Sequence, residues 1–365
     1  MTVGTDKLVA LAQKLIDQDH AQVIVEPNER AFGFWFGGGN MVELTDGSLA
    51  VVGRYRNAGD SRTGIKAGER GLELAIFQSS DQGQSWNKVA SWTKAELNVG
   101  DWEVLSIEGA ALHVTDSGVE LFVSTEKDHL GYPPGFESYL KPGTGVWTIE
   151  RLQADSIETL KSSSLETILH STNPEYLHIK DPFLYSTPAG DLILYFCTHP
   201  FNWSSSNTGF AVRKAGESKF SDPVYEFFPR GTTWDVSMTR GTAVVDVPPL
   251  GEFTDEKVSL IFYDGGECVR DLEEHSSAVK RPRGYSCEEL GGLAYTTSTP
   301  EGKITRLSRY QPMFVSPHGT GCSRYVDVLT TSEGMYATWQ QSQTDQSQPL
   351  VMNFVPLNEI EAILS

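Results

Sequence analysis

The stretch DPFLYSTPAGDLILYFCTH, from Asp181 to His199, sets the reading of the whole chain. A polar residue opens it, FLYS alternates as a strand does, TPAGD makes a turn, and LILYF runs back to a polar end. The same unit recurs four more times. Asn40 leads MVEL, TDGS and LAVVG to Arg54 and Arg56; Glu108 leads ALHV, TDSG and VELFVS to Glu126 and Lys127. Arg240 leads TAVVDV and VSLIFY to Asp264, and Arg324 leads YVDVL, TTSEG and MYATW to Gln340 and Gln341. The openings at 40, 108, 181, 240 and 324 are spaced by roughly 60 to 85 residues, enough for a four-stranded blade with loops.

The prediction is an all-β chain forming one domain over residues 1–365, a five-bladed β-propeller with a short N-terminal helix. Outer strands are read at GLELAIFQ and NKVASW after the first hairpin, and at GGLAYTT and KITRLSR after the fourth. Leu8, Leu11, Ala12, Leu15 and Ile16 recur at helical spacing after Thr5, which places the helix within residues 1–20, and a second short helix is expected at Asn358 to Leu364. The last repeat lacks a final strand, so Ala21 to Val25 is expected to complete it and leave no open sheet edge. Two β-sandwich domains are the alternative architecture for a chain of 365 residues.

Lys+Arg 29 against Asp+Glu 48 gives a net charge of -19, which opposes binding to nucleic acid or an anionic membrane. No apolar run is long enough to span a bilayer, and Met1 to Gln13 lacks the layout of a secretory signal, so a cytoplasmic protein is expected. Cys197, Cys268, Cys287 and Cys322 show no metal-binding spacing and are read as buried thiols, with a Cys268 to Cys287 disulfide as the alternative. The glycines of GFWFGGGN precede a strand, which argues against a phosphate cradle.

Ser79 to Trp86, SSDQGQSW, matches S-x-D-x-G-x-x-W and resembles the Asp-box of sialidases and related propellers. The resemblance implies a turn between outer strands, with Asp81 satisfying backbone N–H groups and Trp86 packed between sheets. Ile179-Lys180-Asp181-Pro182-Phe183 with LILYF, and Ile261 to Gly266 with the later GGLAYTTSTPEG, resemble five-bladed glycoside hydrolases of the arabinanase, fructosidase and neoagarooligosaccharide-hydrolase type. That resemblance implies a base, a pKa-tuning Asp and an acid at the first, third and fourth blade openings. Those openings here are Asn40, Asp181 and Arg240; only Asp181 fits, so the family's catalytic set does not carry over.

In a propeller the start of each inner strand and the end of its partner share one mouth. Asn40, Glu108, Asp181, Arg240 and Arg324 are therefore expected in an inner ring. Arg54, Arg56, Glu126, Lys127, His199, Asp264, Gln340 and Gln341 are expected just outside it, as groups that bind substrate or act on it. Breaking a glycosidic bond needs a proton donor and a second carboxylate, and Asp181, Asp264 and Glu108 are the predicted catalytic acids. The arginines suggest an acidic sugar, because a guanidinium fork matches a carboxylate, or else they pair with the protein's own Asp60 or Asp264. His199, near Phe201 and Trp203, and Tyr263 are candidate bases for the rival chemistry, β-elimination on a uronate by a polysaccharide lyase. Glu267 to Glu289 reads as a loop over the mouth, with Glu288 and Glu289 as subsidiary catalytic candidates.

The expected function is glycoside hydrolysis of an acidic or a plant or microbial glycan, the expected partner an oligosaccharide or polysaccharide. A non-catalytic glycan-binding propeller is the third alternative. No cofactor is called for, and the architecture leaves room for a calcium ion on the channel axis.

Overall fold

A computed structural model describes residues 4–57, 69–128, 130–139, 144–199, 205–255, 257–267, 288–298 and 302–365, without the side chains of 69 and 70. Strand β1 (Gln22–Val25) precedes five sheets. The first holds β2 (Trp35–Gly37), β3 (Met41–Glu43), β4 (Leu49–Asn57), β5 (Glu69–Ser79) and β6 (Asn87–Thr93). The second holds β7 (Val104–Thr115), β8 (Gly118–Lys127), β9 (Val146–Ala154) and β10 (Glu166–Leu169), and the third β11 (His178–Ser186), β12 (Leu192–His199), β13 (Asn207–Arg213) and β14 (Val224–Phe228). The fourth holds β15 (Met238–Asp246), β16 (Ser259–Gly266), β17 (Leu290–Thr296) and β18 (Thr305–Arg306); the fifth holds β19 (Ser323–Thr330), β20 (Gly334–Gln341), β21 (Leu350–Pro356) and β1. Each sheet is an antiparallel meander, and together they form the predicted five-bladed propeller. β1 pairs with β21 through Gln22 to Met352 and Val25 to Leu350, so the two chain ends close the ring.

Side-chain alternation gives every blade two apolar faces, and these pack against neighbouring blades. Leu74, Ile76 and Trp92 of the first blade share a core with Ile107, Leu112 and Leu121 of the second. Between the fourth and fifth blades the core also takes in the N-terminal helix (Thr5–Leu15), through Leu8, Leu11, Ala12 and Leu15, and Ile360 and Leu364 of the C-terminal helix (Leu357–Leu364). No helix among the described residues is long and apolar enough to cross a membrane.

The SSDQGQSW stretch forms the connection between β5 and β6. Asp81 accepts from Ser85 Oγ at 2.5 Å, from the Ser85 N–H at 2.9 Å and from Ser79 Oγ at 2.7 Å, and these bonds hold its carboxyl down at about 2. Trp86 donates to the Gly83 carbonyl and packs against a core shared by the first and fifth blades.

The inner strands differ from expectation in one respect that matters for the site. They begin earlier than the predicted openings, and each is broken at one common level. The pairing register shifts between Ile107 and Ala110, Lys180 and Phe183, Gly241 and Ala243, and Arg324 and Asp327, while Gly38 to Asn40 separates β2 from β3. A bulge frees backbone groups that must find other partners. The Asp181 N–H donates to Ser124 Oγ at 3.0 Å, the Gly241 N–H to Thr208 Oγ1 at 2.7 Å, and the Tyr325 N–H to Asp264 Oδ1 at 3.0 Å. Each bond crosses to the preceding blade, so the bulges tie the blades together.

Candidate active site

The bulges line a central channel narrowed to about 20 Å³, room for roughly one water. Asp181, Gly241 and Tyr325 occupy equivalent bulge positions beside it. Arg240 and Arg324 therefore stand one residue before the channel-lining position.

Eight charged side chains gather around Tyr325. Arg54, from β4, donates to Glu108 Oε2 at 3.2 Å and to the Tyr325 hydroxyl at 3.0 Å, and its guanidinium lies 4.7 Å from the centroid of the Trp35 ring. Arg240, from β15, donates to Asp181 Oδ2 at 3.3 Å, Asp264 Oδ2 at 2.7 Å and Glu289 Oε2 at 2.5 Å, and lies over the Tyr325 ring at 4.2 Å. Arg324, from β19, also reaches Glu289 Oε2 at 2.5 Å. Lys180 stands 3.9 Å from both Glu108 and Asp181. Four carboxylates thus face three arginines and one lysine in a nearly closed setting. Burying so many charges is costly and is seldom a route to stability, which makes the cluster the candidate site.

The carboxylates are not equivalent. Glu108 and Glu289 keep 14% and 21% of their side-chain surface exposed, against 4% for Asp181 and 0% for Asp264. Burial opposes the charge on Glu289, but Arg240 and Arg324 outweigh it and hold this carboxyl well below the usual range. Burial, aided by Glu289, pushes Asp264 up to about 6 against the pull of Arg240. Asp264 accepts from the Tyr325 N–H with both oxygens and from Arg240, so it anchors the bulge and aims the arginine.

The structure thus gathers Asp181, Asp264, Glu108, Arg54, Arg240 and Arg324. Gln340 joins them: with its amide oxygen toward Arg324 it accepts from Nη2 at 2.8 Å. The other predicted residues stand apart from this cluster. Asn40 lies past the break and bonds the Leu112 backbone with both ends of its amide, at 2.9 and 2.7 Å, as a strap between blades. Lys127, one step along β8, faces the blade interior and is enclosed with Glu150 at 3.4 Å, because successive strand residues point to opposite faces. Gln341 donates to the Gln18 carbonyl at 2.8 Å beyond the N-terminal helix.

Glu126 accepts from the Gly145 N–H at 2.8 Å, and Arg56 is buried opposite Trp35 in the β2–β4 ladder. His199 is buried, with Nδ1 2.8 Å from the Ser205 carbonyl; burial and the nearby Lys180 push it well below its ordinary range, so its ring is neutral. Tyr263 is buried and donates to Asp235 at 3.3 Å. Phe201, Trp203, Asp60, Cys268 and Cys287 lie outside the described residues; Cys197 and Cys322 are buried free thiols.

Sequence reading missed Lys180, Tyr325 and Trp35 as site residues and ranked Glu289 too low. Lys180 and Tyr325 each adjoin a repeat opening, a signal that was there to use. Glu289 directly precedes β17 and so sits on the fourth blade itself.

A calcium ion on the axis does not fit the residues present. Asp181, the carboxylate among the channel-lining residues, already bonds the Gly109 N–H at 2.9 Å and faces Arg240. No cluster of three or more His, Cys, Asp or Glu suited to a metal occurs among the described residues.

No sequence-family model and no curated protein sequence matches the chain. Solved structures do share its fold. One described as a glycoside hydrolase has a TM-score of 0.62 at 11% identity, over 97% of this chain and 96% of that one. An α-L-arabinofuranosidase from Lactobacillus brevis has a TM-score of 0.58 at 10% identity, over 92% and 93%. An α-L-arabinanase of Penicillium chrysogenum, complexed with arabinobiose, has a TM-score of 0.50 at 11% identity, over 93% and 98%. At these identities the likeness establishes a propeller fold shared with glycoside hydrolases.

Proposed function

We propose that this chain hydrolyses a glycosidic bond in a neutral glycan, with Glu289 and Glu108 as the reacting carboxyls. The observation that carries the reading is the convergence of two partly exposed carboxylates, from different blades, on one buried frame of arginines. Glu289, held ionised by Arg240 and Arg324, activates water or attacks the anomeric carbon. Glu108 passes a proton to the leaving oxygen. Asp181 joins the two halves, since it shares Arg240 with Glu289 and lies beside Lys180 with Glu108. Glycoside hydrolases among the structures of this fold support the same class.

An acidic sugar was suggested by the arginines. Arg54, Arg240 and Arg324 are instead each engaged by the protein's own carboxylates, so none of the three is spare for a substrate anion. The lyase reading weakens for the same reason: Tyr263 is buried on Asp235, and elimination needs an arginine to neutralise a uronate.

Paired variants test the roles. Glu108→Gln is expected to lose about 10³-fold or more on alkyl glycosides but much less on 4-nitrophenyl glycosides, whose leaving group needs no proton, while Glu289→Gln loses both. Sugar binding without turnover by the wild type would make the chain a glycan-binding propeller. A new absorbing double bond in the product would make it a lyase.

A further inference from the structure

Lys180 differs from the three arginines beside it. Its ammonium is 3.9 Å from Glu108 Oε2 and 3.9 Å from Asp181 Oδ2, lies 5.4 Å from the centre of the Trp147 ring, and makes no hydrogen bond among the described residues. An ammonium carries three donors, and this one keeps 16% of its side chain exposed at the mouth. We infer that Lys180, with Glu108 and Asp181, reads a free hydroxyl of the sugar on the carbon next to the anomeric centre, and so restricts the substrate to sugars that carry one. The inference rests on the hydrolase reading for the position of the anomeric carbon.

Complementarity selects the group. One donor flanked by two acceptors matches an oxygen that accepts and donates at once, as a hydroxyl does. A carboxylate or sulfate would meet the Asp181 carboxylate at the range at which it met Lys180, so the like charge offsets the opposite one, whereas a hydroxyl carries no such conflict. An amine would meet Lys180 with nothing for it to donate to. A deoxy position would leave the ammonium desolvated and without a hydrogen-bond acceptor, a loss that polar sites discriminate against.

The test compares the neutral 4-nitrophenyl glycoside that the wild type cleaves fastest, from a panel of furanosides and pyranosides, with its 2-deoxy analogue. The wild type is expected to cleave the deoxy compound about 10- to 100-fold more slowly in kcat/KM, the range for one hydrogen bond to a charged group, after correction for the deoxy compound's spontaneous rate. Lys180→Met is expected to lose a similar factor on the parent and to treat the two compounds alike. Lys180→Arg is expected to restore part of the discrimination.

A wild type indifferent to the deoxy change overturns the inference without any variant. So does a folded Lys180→Met that keeps the full penalty; in both cases the hydrolase reading survives. Calorimetric binding of the free sugar and its 2-deoxy form to wild type and Lys180→Met decides the matter independently of turnover. If the panel is not cleaved but discrimination in binding disappears with Lys180, the hydrolase reading falls and the hydroxyl reading stands. Equal discrimination in both proteins, or no binding of either sugar, overturns it.

Discussion

Asp181 and Tyr325 hold positive φ, 54° and 52°, where side chains other than glycine's are strained. A carboxylate and a phenol are thus put where the backbone would favour glycine. Strain kept at the centre of a buried charge cluster is consistent with a working site. Asp264 gives that site a pH dependence. Its carboxyl, pushed up to about 6 from 3.8, stays protonated in the folded protein over a window in which the unfolded chain has lost the proton. The stability it contributes is therefore present at low pH and falls as pH rises from about 4 to about 6. Neutral Asp264 loosens its hold on Arg240, so activity is expected to fall below about pH 6. Asp264→Asn should hold the hydrolysis rate near its low-pH value at every pH, and a variant profile that keeps the same limb assigns that limb to another group.

The inner-strand bulge is the element that turns a repeat into a site. Its freed N–H groups bond to the neighbouring blade, which fixes each bulge to its neighbour and brings residues remote in sequence within reach of one arginine. The N-terminal helix works at the same scale. Leu8 and Leu11 are fully or almost fully buried in the core between the fourth and fifth blades, where the helix acts as a wedge. Leu8→Ala is expected to cost about 2–5 kcal/mol in urea unfolding, with little change in KM. A cost under about 0.5 kcal/mol would show that the helix is not part of the cooperative unit.

Over the whole molecule, closure depends on β1. Its pairing with β21 completes the fifth blade from the other end of the chain, beside the core that the fifth blade shares with the first. Deleting residues 1–27 removes the helix and this strand together, exposing the β21 edge and the core beneath it. The truncated chain is expected to aggregate on size-exclusion chromatography and to lose its cooperative thermal transition. A monomeric truncation that melts cooperatively would contradict this account of closure.

Much of the architecture was legible because it is a periodic property. Alternation along each strand, turn residues between strands and a polar residue at each opening repeat five times, and Ala21 to Val25 was needed to complete the count. Asp181, Glu108, Asp264 and the three arginines followed from that repeat. The break in register was not legible, because the phase slip that a bulge puts into the alternation falls at the polar openings Glu108-Gly109, Asp181-Pro182 and Arg240-Gly241, where it reads as the start of a strand. Only the folded ring decided that Tyr325 and Gly241 occupy the channel positions, that Asn40 is tied to the Leu112 backbone, that Lys127 turns away, and that Glu289 meets Arg240. Local sequence fixes which residues can form a blade. Which side chains share a proton or a guanidinium depends on how the blades are staggered around the axis, a distance of a few ångströms that no single blade encodes.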